Sequence, residues 1–296
     1  MNILMTGATG LIGRHFITRY SEHDYTVLVR SKKRAAALLP ASVQAIEALS
    51  ELDSLDGFDA VINLVGEPIV GKRWTARQKH EICHSRWDVT RQLADMIVAS
   101  ETPPGVFVSG SAIGYYGDQG DASIDEGAKP GSGFPSQVCS TWESMAHAAD
   151  GATRLVLLRT GIVLSPEGGA LQKMLLPFRM GLGGTIAGGR QYMSWIHIED
   201  MVKVMAYLLE HSDCSGAFNL TAPEPVSNRA FTQTLGRVLR RPTWFAVPRA
   251  VLNASMGEAA CLLLESQKVM PKRLSESGYV FSHPQLQGAL SNLLER

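Results

Sequence analysis

Three glycines, Gly7, Gly10 and Gly13, stand directly behind the apolar run "NILMT" that follows the first methionine. No other feature constrains the fold as strongly. A glycine-rich turn between a buried strand and a helix lets the backbone approach a diphosphate closely. The helix N-terminus then offers free N–H groups and the positive end of its dipole. A tight turn alone is the alternative reading. The strand pattern before "TGATGLIG" and the amphipathic pattern after it favour the clamp. The strand reads as 2–6 and the helix as about 10–23, with Leu11, Ile12, Phe16 and Ile17 toward a sheet.

The runs "YTVLVR" (25–30), "AVINLVG" (60–66), "GVFVSGSA" (105–112) and "TRLVLLRTGIVLS" (153–165) are almost unbroken in apolar residues. Continuous runs mark strands covered on both faces. Helical patterns separate them, the longest from about Thr75 to Ser100. Strands alternating with helices predict an α/β fold, a Rossmann-type doubly wound parallel sheet whose ligand crevice lies at the carboxyl ends of the strands. Past Ser165 the pattern turns glycine-rich and irregular, then mostly helical. The chain therefore divides into a dinucleotide-binding domain (1–165 and 195–224) and a smaller, discontinuous, mainly helical substrate lobe (166–194 and 225–296).

The second strand runs into Arg30, Ser31 and Lys32. A cofactor with a free ribose 2′-OH usually meets Asp or Glu there. A guanidinium and a hydroxyl suit a 2′-phosphate instead, which points to NADP(H). A solvated basic turn is the alternative. Elsewhere, 28 Lys and Arg balance 28 Asp and Glu, so overall charge suggests neither nucleic acid nor a membrane surface as partner. Four scattered cysteines, without CxxC or metal-ligand spacing, predict free thiols and no metal. No segment reads as a signal peptide or a membrane span, and a cytoplasmic location is expected.

"TGATGLIG", "AVINLVGEPI", "VSGSAIGYYGD", "LLRTGIVLS", "WIHIEDM" and "GAFNLTAPEPVSN" occur in order along the chain. On these motifs it resembles the extended short-chain dehydrogenase/reductases, and more closely the YfcH-type epimerase family proteins within the NAD-dependent epimerase/dehydratase superfamily. The resemblance implies a nucleotide site formed by Thr6, Gly7, Gly10, Leu11, Ile12, Gly13, Arg30 and Ser31. Leu64, Val65 and Gly66 would run along the cofactor, with Thr160, Gly161 and Ile162 beside the nicotinamide. In "SRWDVT", Arg86 stands where sugar epimerases have Asn, so Arg86 would hold phosphates. Glu81, one turn earlier, would fix Arg86 or a ribose hydroxyl. An exposed helical ion pair is the alternative for both.

The superfamily's chemistry uses a serine, a tyrosine and a lysine. Ser111 matches the serine. The Tyr-xxx-Lys pair is missing: Phe134 and Pro135 fall at the tyrosine position and Cys139 at the lysine position. None of these can transfer the proton or supply the charge. Tyr115 or Tyr116 is the candidate substitute for the phenol. His197 reads as a structural hydrogen bonder, with a catalytic role as the alternative, and Asp200 as support for the next helix's first turn. Arg179, Arg190 and Gln191 on the glycine-rich rim are candidates for an anionic or polyhydroxyl substrate. Two functions stand: an NADP(H)-dependent oxidoreductase or epimerase-like enzyme on a small carbonyl or hydroxyl compound, or a non-catalytic NADP(H)-binding redox sensor that works through a partner. Monomer and homodimer are both open.

Overall fold

A computed structural model of the chain describes residues 1–295. Seven strands form one parallel sheet: β1 (Asn2–Thr6), β2 (Asp24–Leu28), β3 (Gln44–Ile46), β4 (Ala60–Asn63), β5 (Val106–Ala112), β6 (Arg154–Thr160) and β7 (Gly216–Leu220). Their spatial order is β7-β6-β5-β4-β1-β2-β3. The chain reverses direction across the sheet between β1 and β4. That switch point opens a crevice at the strands' carboxyl ends.

The near-continuous apolar runs divide between two cores by their period of two. Ile3, Met5, Val106, Val108, Val156 and Leu158 join the core that includes Phe16 and Met201, on helices α1 (Leu11–Arg19) and α5 (Ile198–Glu210). Leu4, Val61, Phe107, Leu155 and Leu157 join the core that includes Leu93 and Ile97 on helix α2 (Ala76–Ala99). Burying each such side chain contributes about 1.5–3 kcal/mol, so neither face of the sheet is open to water. Helix α3 (Phe134–Ala146) packs beside α2. No helix among the described residues is long and apolar enough to cross a membrane.

A third core joins separated parts of the chain. Leu171, Leu175 and Phe178 of helix α4 (Gly169–Arg179) pack with Phe231 and Leu235 of α6 (Asn228–Leu239) and Leu286 and Leu290 of α7 (Leu286–Leu294). The run read as one strand over 153–165 is two: 154–160 in the sheet and 162–164 paired with 195–197. The break is at Gly161. Its N–H bonds Leu220 O, Ile162 N–H bonds Ser194 O, and a Cβ on Gly161 would lie 2.6 Å from Ser194 O. The short edge strand β3 and the helix Lys32–Ala36 carry no periodic signal in the sequence.

The C-terminal segment does not stay within the second lobe. Ala259 packs with Trp74, Ile82 and Val138 at the α2–α3 end of the crevice. Residues 268–269 pair in parallel with 123–124. Asp200 accepts hydrogen bonds from the Ser282 and His283 amides, both at 2.8 Å, and ties the last turns to α5.

Candidate functional site

The glycine turn is shaped by close approach. Gly7 has φ +71°, and a Cβ there would lie 2.5 Å from Leu64 O. A Cβ on Gly13 would lie 2.6 Å from Gly7 O. The turn is thus pressed between β4 and the first turn of α1. Gly10 precedes α1 with no side chain bonded to the helix's first amides, which leaves them free for an anion. A buried polar chain holds the turn from behind. Thr6 Oγ1 donates to Asn63 Oδ1 at 2.6 Å, Asn63 Nδ2 donates to Thr90 Oγ1 at 2.7 Å, and Trp142 Nε1 donates to the same oxygen at 2.8 Å. Val65 N–H returns to Thr6 Oγ1 at 3.2 Å.

Three cations around this turn lack a carboxylate partner among the described residues. Arg30 is exposed just beyond β2. Its neighbours are occupied: Ser31 Oγ accepts from Arg34 N–H at 3.4 Å, and Lys32 Nζ bonds Glu51 at 2.8 Å. Lys72, with a smaller contribution from Arg30, holds the Glu67 carboxyl below its usual range. Arg86 is half-buried, its guanidinium carbon 2.7 Å from where a Gly66 Cβ would stand. It donates to Ile82 O at 2.8 Å and lies 5.3 Å from the Trp142 ring. Burial, which disfavours its charge, pulls its pKa down. Arg14 follows Gly13 on α1, and its buried Nε bonds nothing among the described residues. The sequence reading missed Arg14; an arginine directly after the third glycine was the available signal.

Two expected placements change. Glu81 points to solvent and pairs at 4.0 Å with Arg77, without a hydrogen bond or ion pair to Arg86. Five residues along a helix is about 140° around it, so the two side chains face apart. Leu11 does not pack on the sheet: its methyls meet the backbone at Gly168 and Gly169, while Phe16 and Ile17 fill the core and Ile12 lies at its margin. The helix also ends at Arg19 rather than 23. Thr160 and Ile162 flank the Gly161 step, half-buried.

The end of β5 is organised differently. Ser111 Oγ donates to Glu143 Oε1 at 2.6 Å. Glu143 takes a two-pronged bond from Arg159, at 2.9 and 2.8 Å. Arg159 Nη1 donates to Tyr116 OH at 3.0 Å, and Tyr116 donates to Asn219 Oδ1 at 2.7 Å. Arg159 and Glu143 side chains are each 6% exposed. Burial opposes the Arg159 charge, but the bonds to Glu143 outweigh it and raise its pKa. Tyr116 is fully buried, and burial raises its phenol to about 12. Tyr116 therefore cannot meet a substrate, contrary to its candidacy as the acid/base. Tyr115 is half-buried, its ring 3.6 Å from the Arg159 guanidinium. Neither Glu143 nor Arg159 was singled out for function. The signal was an arginine inside the apolar run "LVLLRTG", which requires a buried partner.

Residues 3–221 match the NAD dependent epimerase/dehydratase family. The chain belongs to that family. Residues 247–293 match a domain of unknown function, DUF1731. The chain is 39% identical to the chloroplastic epimerase family protein SDR39U1 homolog of Arabidopsis thaliana, over 100% of this chain and 87% of the relative. It is 36% identical to the epimerase family protein YfhF of Bacillus subtilis, over 99% and 98% of the two chains. The crystal structure of human epimerase family protein SDR39U1 with NADPH superposes with a TM-score of 0.92 at 35% identity, covering 100% of both chains. A UDP-glucuronic acid 4-epimerase from Bacillus cereus, at 18% identity and TM-score 0.78, shares the fold.

Other groups in this epimerase-family chain are structural. Cys139 is buried beside Ser111, and burial lifts its thiol to about 11. The loop acids tie down the C-terminal segment: Asp118 accepts from Ser266 N–H at 3.0 Å, and Glu126 accepts from Asn219 N–H at 3.0 Å and from Arg273 N–H. Gln191 donates to Leu263 O at 3.0 Å. His197, Glu199 and His283 bring ligand-type atoms within 4.8 Å of one another. Yet Glu199 N–H donates to His197 Nδ1 at 3.0 Å, which leaves the proton on Nε2 and no lone pair there for a metal. His197 thereby caps α5. A concavity of about 570 Å³ lies between α2 and α3, lined by Trp87, Arg91, Asp95 and Met145, away from the glycine turn.

Proposed function

We propose that this chain is an NADP(H)-binding member of the YfcH-type branch that works as an oxidoreductase or epimerase-like enzyme on a small carbonyl or hydroxyl compound. The DUF1731 match at 247–293 supports the branch. The single observation that carries the cofactor is the set of unpaired guanidinium groups at the glycine turn. Arg30 beyond β2, Arg86 against Gly66 and Arg14 behind Gly13 suit phosphates, and none of the three is held in an ion pair among the described residues. The human relative crystallised with NADPH supports the same reading. When bound, the nicotinamide supplies hydride transfer.

Ser111 has given its only proton to Glu143, so toward a ligand its oxygen can only accept. A substrate hydroxyl would donate to it and be oriented by it. Tyr115 is the phenol of the pair that is not sealed, and it is our candidate acid/base. The second reading, a redox sensor without turnover, is favoured by the closed Glu143–Arg159–Tyr116 network and by Pro135 and Cys139 where the acid/base pair would stand.

The deciding experiment titrates the purified chain with NADPH and NADH, beside Arg30→Asp. Wild type should prefer NADPH, and the variant should lose about tenfold or more of that preference. Equal binding of both cofactors by wild type would remove the NADP(H) assignment. Oxidation of NADPH with a panel of small carbonyl compounds then separates enzyme from sensor.

A further inference from the structure

The zero net charge conceals a segregation. Residues 168–198 contain Lys173, Arg179 and Arg190 and no Asp or Glu. Residues 225–257 contain Arg229, Arg237, Arg240, Arg241 and Arg249, again without a carboxylate. The two segments pack together through α4 and α6 and through the pairing of 245–247 with 184–186. All eight cations are exposed, and none joins an ion pair among the described residues.

Apolar side chains stand out on the same two segments. Trp244 is 88% exposed, and Leu176, Met180, Leu182 and Phe245 are each more than half exposed. They are neighbours by construction. Leu182 N–H bonds Pro177 O at 2.9 Å, a Cβ on Gly181 would lie 3.6 Å from Pro242 Cγ, and Phe245 pairs with Gly184. Arg179 precedes Met180, and Arg240 and Arg241 lead into Trp244. Exposed aliphatic and aromatic side chains, in segments whose charged residues are all cations, mark an interaction surface.

We infer that this face of the second lobe docks on an anionic lipid bilayer. Trp244, Phe245 and Leu182 enter the headgroup boundary, and Arg179, Arg240 and Arg241 meet lipid phosphates. The charge complementarity selects an anionic surface. The aliphatic side chains select a bilayer over a nucleic acid, whose bases would call for stacking rings rather than Leu and Met. Two weak signals together, insertion and charge, give stable but reversible attachment.

The test is flotation of the full chain with phosphatidylcholine vesicles, alone or with about one third phosphatidylglycerol. Wild type should float only with the anionic vesicles and release as salt rises. Trp74, Trp142 and Trp195 are buried and Trp87 is half-buried, so a blue shift of tryptophan emission on binding reports Trp244. Trp244→Ser should weaken binding and lose the shift. Arg240→Glu/Arg241→Glu should bind about tenfold or more weakly. Both variants change exposed side chains, and unchanged thermal melting confirms their fold. Absence of flotation at low salt, equal binding to neutral vesicles, or wild-type binding by Arg240→Glu/Arg241→Glu overturns the inference. Displacement by free glycerol phosphate would overturn it as well, by assigning the cations to a soluble anion.

Discussion

Two strand ends of one sheet treat charge in opposite ways. At β1 the glycine turn gathers guanidinium groups that form no ion pair among the described residues: Arg30 exposed, Arg86 half-buried, Arg14 with an unbonded Nε. At β5 and β6, Arg159, Glu143 and Tyr116 satisfy one another behind a nearly closed surface, and Ser111 gives its proton to the same carboxylate. A cation left unpaired beside free helix amides is poised for an anion. A charge already paired and buried supports the fold. The difference separates the part of the molecule built to bind from the part whose charges are spent on structure.

The comparison breaks most decisively at Glu143. Glu143→Ala leaves Arg159 buried without its partner and should cost about 3–5 kcal/mol in urea unfolding. Glu143→Leu/Arg159→Met should recover more than half of that. A loss under about 1 kcal/mol for the single variant would mean the pair is not sealed.

Next in size is an acid limb of stability set by His197. Burial, then His283, depresses its pKa from 6.5 to about 4. The unfolded imidazole takes its proton near pH 6.5 and the folded one only near 4. The unfolded state therefore binds more protons throughout that window, and stability falls as pH drops through it, by roughly 2–3 kcal/mol. His197→Asn, which can still cap α5, should flatten this slope in unfolding measured at stepped pH.

Gly7→Ala tests the open side. At φ +71° with Leu64 O at 2.5 Å, the methyl should cost about 1–3 kcal/mol and abolish NADPH binding in the same titration that measures Arg30→Asp. Retained binding would show that the turn is not the clamp.

The smallest effect sharpens the tyrosine assignment. Tyr116→Phe leaves Asn219 and Arg159 each one bond short and should cost about 1–2 kcal/mol without changing NADPH turnover. Tyr115→Phe should lower turnover with little loss of stability. The reverse pattern would mean that the sealed phenol is the reactive one.

What the sequence by itself determined is what short-range pattern can carry. The strand–turn–helix around Gly7, Gly10 and Gly13 and the order of the apolar runs were legible because periodicity and spacing act within a few residues, while the missing tyrosine and lysine showed only against the family resemblance. Tertiary structure decided which side chains meet. Arg159 and Glu143 are 16 residues apart, and Tyr116 and Asn219 are 103 apart. No local pattern distinguishes Tyr115, which stays half-buried, from Tyr116, which the C-terminal strap seals with Val269 and Ile124. Glu81 and Arg86 looked like partners along the chain, and helix geometry turned them apart. Net charge was likewise a sum with no direction. Only folding, by packing two carboxylate-free segments together, made one face of a neutral chain cationic.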